Sequence, residues 1–455
     1  MVARHRPNSS AEPDAYNDPI VPKLIESKRN GKELKLADFR FLIDRFLRNH
    51  LPKHQLAALL MAIYFRGLSC DETAALTEVM LESGSRLHFP SDPRLLVDRH
   101  STGGVGDKCS MIVGPVLAAL DFRTPTLTVQ GAGYAGGTLD KIGAIPGISL
   151  ELTSRQLVNI VQDVGCAISG PTEELIPADR QLFQLRTETA TVSSPGLIVS
   201  SILSKKLAES LSALVVDVKF GSGALVGTKR QAIRLAHLLK EIASRNHLRC
   251  GCLITNMESP IGSSIGRWLE VREASEFLAG AQEPDLMEIV GQTVGLILIM
   301  TGREKTMRRA VLKVKHILGS GKPLQRWRRM LAAQGADLKK FDRMMESRGS
   351  LAAYVVDVPS PADGYVAQCA ARRLGELAAT LAASAAAQDA GQEFLVGIDR
   401  LLKPGTQVEL GQPVARLHAP TKQLADESRQ AILSAFSFSS EPVRQQPRVC
   451  SILHG

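Results

Sequence analysis

At 455 residues the chain is too long for one small core and predicts two or three domains. Its 44% hydrophobic content is that of an ordinary globular protein, and 4% aromatics argue against a nucleic-acid binder that works by base stacking. The formal charge of +9 is spread along the chain, and its densest patches, residues 303–309 and 326–329, read as solvated helix faces rather than a nucleic-acid surface.

Residues 1–17 are polar, contain two prolines and lack periodicity, which predicts a disordered leader without the apolar core of a signal peptide. Residues 18–88 carry apolar side chains at three- and four-residue steps, as in Leu36-Ala-Asp-Phe-Arg-Phe-Leu-Ile, and predict a small helical domain. Ser69 or Asp71 is positioned to cap one of its helices. From residue 92 strand-like runs alternate with Gly-rich turns and amphipathic helices, the pattern of a mostly parallel α/β sheet over 92–176 and 211–344. A long helix at 197–209 interrupts it, and the segment 177–210 is expected to pack back on the N-terminal helices. Residues 345–455 predict an α+β module with strand–turn–strand segments around Asp357 and Leu402, an Ala-rich helix and a loose tail. No apolar run is long enough to cross a bilayer, and seven scattered cysteines fit reduced thiols, so a cytoplasmic protein is expected.

Three loops follow apolar strands: 99–107, Gln130-Gly-Ala-Gly-Tyr-Ala-Gly-Gly-Thr-Leu-Asp-Lys141, and Lys219-Phe-Gly-Ser-Gly223. In parallel sheets such loops converge on one crevice at the carboxyl ends of the strands. Glycine amides at a helix N-terminus, with Arg99 alongside, read as a cradle for a phosphate-like anion, and His100 stands where it could exchange a proton with whatever meets that anion. Ser101, Ser110, Thr128 and Thr138 add hydroxyl donors. Gly131-x-Gly-x-x-Gly136 matches a dinucleotide fingerprint, but the glycine and proline after it preclude the long helix that motif requires. Ser201 and Lys205 project from one face of the helix at 197–209, with Arg186 upstream. Cys250-Gly-Cys252 lacks a second ligand pair, and no metal site is read from the sequence.

Together Asp98-Arg-His-Ser-Thr-Gly-Gly-Val-Gly-Asp, Gly136-Gly-Thr-Leu-Asp-Lys, Pro177-Ala-Asp, Ser200-Ser-Ile-Leu-Ser-Lys-Lys and Asp217-Val-Lys-Phe-Gly-Ser-Gly-Ala resemble the thymidine/pyrimidine-nucleoside phosphorylase family, over residues 20–420 or so. The resemblance implies a small all-helical domain hinged to a larger, mostly parallel α/β domain, working as a cytoplasmic homodimer. It implies phosphorolysis of a nucleoside such as thymidine, with inorganic phosphate as co-substrate and no required cofactor, nucleic acid or membrane. By position, Arg99, Ser101, Ser110, Thr128 and Thr138 would hold phosphate. Arg186, Ser201 and Lys205 would grip the pyrimidine, and His100, in its protonated form, would hydrogen-bond the base and donate a proton.

The chain departs from the family's pattern at several places. Arg99 replaces a common lysine, while Gln130, Ala132 and Tyr134 replace an arginine, a base-side leucine and a histidine. Lys108 falls where some members bind potassium, with Gly106, Ile261, Ser264 and Glu273 at the other matching positions, so an ammonium stands where the ion would sit. The C-terminal Lys403-Pro-Gly-Thr segment is similar to lipoyl-type hairpins without a convincing carrier lysine, and a structural role is expected. Two alternatives stay open: a related phosphoribosyltransferase, and a pyrimidine-binding homologue with weak catalysis.

Overall fold

A computed structural model describes residues 19–131, 133–347 and 351–454; the expected leader, residues 1–17, and Ala132 lie outside them. The described residues begin with four helices, Ile20–Arg29, Leu36–Leu47, Lys53–Arg66 and Cys70–Glu82. Ser69 caps the fourth. Its Oγ accepts from the Glu72 amide at 3.2 Å, while Glu72 Oε2 accepts from the Ser69 amide at 2.9 Å. Glu72 also takes the buried Lys28 ammonium at 2.6 Å, which ties the first helix to the fourth. Phe39, Leu42, Ile43, Leu56 and Leu60 share a core with Ala178, Leu182, Leu185 and Leu197. The last four come from Pro177–Glu188 and Pro195–Ala208, so the interrupting segment does pack back on the N-terminal helices.

Strands Val97–Ser101, Ala213–Phe220 and Arg249–Asn256 run parallel, with Val97 beside Ala213 and Ala213 beside Arg249. A second parallel pair, Thr124–Leu127 with Cys166–Ser169, adjoins them through the Leu96–Arg123 bridge. Cys109–Ala119, Ser154–Val164 and Lys229–Arg245 are crossover helices. Cover on both faces explains why Ala213–Phe220 is buried nearly end to end, with Asp217 and Lys219 paired to one another inside it at 2.5 Å. Because the strands are parallel, the loops after residues 101, 127 and 220 emerge at the same edge.

Beyond residue 351 lie two antiparallel three-stranded sheets, Tyr354–Pro359 with Pro413–Ala419 and Gly397–Asp399, and Phe436–Ser439 with Gly364–Cys369 and Gln407–Val408. Helices Ala371–Gln388 and Lys422–Ser434 pack against them. Each strand–turn–strand segment therefore hands the chain from one sheet to the other instead of closing a hairpin. Pro359 and Pro361 deprive the first turn of ladder donors. The loose tail is corrected too: Val449–Leu453 pairs antiparallel with residues 252–255 as an edge strand of the main sheet. Arg448 anchors it, donating to the carbonyls of Ser259 at 2.8 Å and Pro260 at 2.6 Å and to Asp285 at 2.9 Å. Five residues carry too little pattern to reveal a strand until their distant partner is known.

Candidate active site

One cleft lies between the carboxyl edge of the parallel sheet and helices Pro177–Glu188 and Pro195–Ala208. His100, Ser101, Ser110, Thr128 and Thr138 line it from the sheet side, and Arg186, Ser201 and Lys205 from the helices. Of the residues expected at the site, Arg99 alone is outside this lining.

Arg99 lies beneath the floor, 2% exposed, with Nη2 on Asp217 at 2.6 Å and on Asp107 at 3.0 Å. Its Nη1 donates to Ser110 Oγ at 2.8 Å. The glycine turn also differs from a bare amide cradle. Ser101 Oγ accepts the Gly103 amide at 3.0 Å, Gly223 O accepts the Val105 amide at 3.1 Å, and Asp107 Oδ1 accepts the Cys109 amide at 3.2 Å. In the second loop Asp140 takes the amides of Gly131 and Gly137, at 2.7 and 2.8 Å. Protein acceptors thus consume many of these amides, and the hydroxyl-bearing Ser101, Ser110, Thr128 and Thr138 line the cleft. Burial pushes the Asp107 carboxyl up, but Arg99 and Lys219 outweigh that and hold it well below the usual carboxylate range.

The helix side is cationic. Lys205 Nζ donates to Ser201 Oγ at 2.9 Å and pairs with Asp179, which is fully buried. Burial pushes the Lys205 ammonium down, against the pull of Asp179. Arg186 donates to Val192 O at 2.8 Å and Leu197 O at 3.1 Å, and its buried Nε has no partner among the described residues. Burial lowers its guanidinium to about 10. Lys206, the neighbour in the Lys-Lys pair, faces away from the cleft and is held by Asp98 at 2.5 Å and Glu209 at 2.6 Å. His100 sits between these groups. Burial, with Lys206, Lys205 and Arg99 nearby, holds its pKa well below 6.5, so the imidazole is neutral at pH 7. This replaces the imidazolium expected from the sequence.

Several residues of consequence escaped the sequence reading. Phe183, Val192, Ile198, Ile202 and Leu225 form an apolar wall of the cleft. Ile198, Ser201, Ile202 and Lys205 share one face at helical spacing, a signal the Ser/Lys pair already carried. Asp107 lines the cleft and Asp179 supports Lys205. Both stood inside quoted motifs, but a carboxylate beside an anion cradle has no obvious purpose until its cationic partners are located.

Lys108 is fully buried, its ammonium on Ile261 O at 2.7 Å, Ser264 O at 3.1 Å and Glu273 Oε2 at 2.7 Å. Burial lowers its pKa, but Glu273 and Glu270 more than compensate and the net direction is upward. The donor set available to a cation is therefore already taken, and a potassium ion does not fit beside it.

Comparison with known proteins decides the affiliation. Residues 22–84 match the helical bundle domain and 94–324 the a/b domain of the glycosyl transferase family, and residues 365–439 match the pyrimidine nucleoside phosphorylase C-terminal domain. The thymidine phosphorylase of Rattus norvegicus is 37% identical over 94% of this chain and 91% of its own. The pyrimidine-nucleoside phosphorylase of Bacillus subtilis is 36% identical over 87% of this chain and 91% of its own. The chain belongs to the thymidine/pyrimidine-nucleoside phosphorylase family. Thymidine phosphorylase of Sinorhizobium fredii, at 35% identity, spans 95% of this chain and 99% of its own. The anthranilate phosphoribosyltransferase of Thermus thermophilus shares the fold, with a TM-score of 0.55 over 68% of this chain and 98% of its own, at 17% identity. Against that family background, Gln130 lines the cleft, whereas Tyr134 points away from it and donates its hydroxyl to Ala224 O at 3.1 Å.

Proposed function

We propose that this protein catalyses phosphorolysis of pyrimidine nucleosides, thymidine first among them, giving the free base and a pentose 1-phosphate. The observation that carries the reading is the shared cleft: a hydroxyl-lined anion side and a cationic, partly apolar side face one another across His100. The family's curated members bear thymidine or pyrimidine-nucleoside phosphorylase names.

In this reading Ser110, Thr128 and Thr138 donate to phosphate, and Ser101, whose proton is held by Asp107 at 2.5 Å, joins them by turning its hydroxyl from that carboxylate to the anion. Arg99 contributes through Ser110: because its Nη1 donates to Ser110 Oγ, the serine proton is left to point at the anion. Ser201, Lys205 and Arg186 hold the pyrimidine carbonyls and N3, and stabilise the negative charge that moves onto the base as the C1′–N1 bond breaks. A phosphate oxygen forms the new bond to C1′. Hydrogen phosphate carries one proton that the sugar phosphate dianion lacks, and the departing base needs one. A neutral His100 balances the exchange, accepting that proton at one ring nitrogen while donating from the other to the base. Closure of the helical body, residues 18–88 with 177–210, on the α/β body, residues 92–176 and 211–344, would bring the reactants together and exclude water. The C-terminal module would begin near residue 345. Phosphate and nucleoside are the only ligands the reaction needs, and Lys108 takes the place of a potassium ion.

We read the protein as a cytoplasmic homodimer. Among the described residues no helix is long and apolar enough to cross a membrane. Met61, Tyr64 and Phe65 expose apolar surface at helical spacing on the third helix, Phe65 at 77%, and such a patch is suited to a second copy. The deciding experiment is a nucleoside panel with phosphate or arsenate in the presence of a chelator, repeated with His100→Ala and Lys205→Ala. Base release by the wild type and its loss in both variants is expected. Activity that required magnesium and a pyrophosphate-bearing sugar donor would select a phosphoribosyltransferase, and calorimetric binding of pyrimidine without turnover would select a binding homologue.

A further inference from the structure

The three loops at the sheet edge meet one another on an element of the C-terminal module. Val105, from the first loop, is fully buried among the apolar residues of that module and is grouped with Leu374 and Leu381 of helix Ala371–Gln388. Tyr134, from the second, packs against the same cluster, with the Arg372 guanidinium 5.0 Å from its ring centre. Gly223, from the third, comes so close to Ala371 that a Cβ on it would lie 2.5 Å from the Ala371 methyl. Cross-links join the loops at this point. Tyr134 Oη donates to Ala224 O at 3.1 Å, the Val105 amide donates to Gly223 O at 3.1 Å, and Gly104 bridges Ala224.

Gly375 sits one turn into that helix, where the fit is also close. A Cβ there would stand 2.7 Å from Val105 Cγ2 and 2.9 Å from Tyr134 O. Closely packed interiors transmit such a displacement instead of absorbing it. Each loop has a far end in the cleft: Ser101 and Gly104 on the first, Gln130 and Thr138 around the second, Leu225 on the third.

We propose that the first turns of helix Ala371–Gln388 set the spacing of the anion-binding loops, and that Tyr134 is a positioning residue which fixes the second loop to the third. The C-terminal module thereby determines how phosphate is held, although none of its described residues lines the cleft. This rests on phosphate being the anion that the loops bind.

Steady-state kinetics on Gly375→Ala, Tyr134→Phe and the double variant Gly375→Ala/Val105→Ala test it. Gly375→Ala is expected to raise the phosphate KM by about tenfold to a hundredfold, the scale of a misplacement approaching 1 Å. The nucleoside KM should stay within about twofold of wild type, because the base-gripping residues stand on other elements. Trimming Val105 in the double variant removes the closer of the two clashes and leaves the one with Tyr134 O, so it should recover part of the phosphate KM. Tyr134→Phe keeps the ring but loses the Ala224 contact, and should raise the phosphate KM several-fold with an unchanged melting temperature. It decides the matter alone if Gly375→Ala does not fold. A folded Gly375→Ala with wild-type phosphate KM, a rise shared equally by both substrates, or an unaffected Tyr134→Phe would overturn the inference. Wild-type protein that releases no base with phosphate would instead refute the phosphorolysis reading, a result visible before any variant is compared.

Discussion

Replacing Lys108 by methionine keeps the length of the side chain and removes its charge. The Glu273 carboxylate is then buried without a counter-ion, and the carbonyls of Ile261 and Ser264 lose their donor. Breaking one side of a buried ion pair costs about 3–5 kcal/mol. For a domain the size of the a/b match, residues 94–324, that corresponds to a melting temperature lower by about 6–20 °C. Lys108→Ala should behave differently, since it vacates space in front of two carbonyls and a carboxylate, a set suited to a monovalent cation. Scanning fluorimetry in potassium chloride against choline chloride of equal ionic strength reads the difference. Potassium should raise the melting temperature of Lys108→Ala and leave that of the wild type and Lys108→Met unchanged. Turnover by the wild type should be indifferent to potassium. A wild type that needs potassium, or a Lys108→Ala that melts with the wild type in choline, would refute the reasoning.

His100 stays neutral in the fold while an unfolded chain binds its proton near pH 6.5. Stability should therefore fall as the pH drops below about 6.5, by up to about 1.4 kcal/mol per pH unit from this residue, and His100→Gln should flatten that acid limb in denaturant titrations. With phosphate saturating, kcat/KM for the nucleoside should show no fall centred on pH 6.5 as the pH rises, since no imidazolium is consumed. Lys205→Met is expected to lower kcat by about a hundredfold or more and to destabilise the fold by leaving Asp179 unpaired. Adding Asp179→Asn should recover the melting temperature and not the rate, which separates the two roles of the lysine. Phe65→Glu, on exposed surface, should shift the protein from dimer to monomer in light scattering; a persistent dimer would place the interface elsewhere.

Much of the fold was legible because its periodicities are strong. The helix at 36–47 carries its apolar face in plain view, and Ala213–Phe220 could be read as a strand from the apolar run that opens it, Ala213 to Val216. Ser201 and Lys205 could be placed on one face from spacing alone. What the sequence hid were relations between distant segments. Whether Arg99 faces a ligand or the floor depends on Asp217, 118 positions away, and the protonation of His100 depends on its burial and on lysines from helix Pro195–Ala208. The edge strand at 449–453 has no local signature, and Tyr134, read as a lost histidine, acquires a role only beside Ala224 and helix Ala371–Gln388.

The central claim is that an anion and a pyrimidine meet across His100 in a single cleft. Product analysis by phosphorus NMR after incubation with thymidine and inorganic phosphate tests it most directly. The account predicts 2-deoxyribose 1-phosphate and free thymine in equal amounts, with neither formed by His100→Ala at a comparable rate. Thymine released with free deoxyribose and no sugar phosphate, or no thymine at all from a protein that binds it, would contradict it.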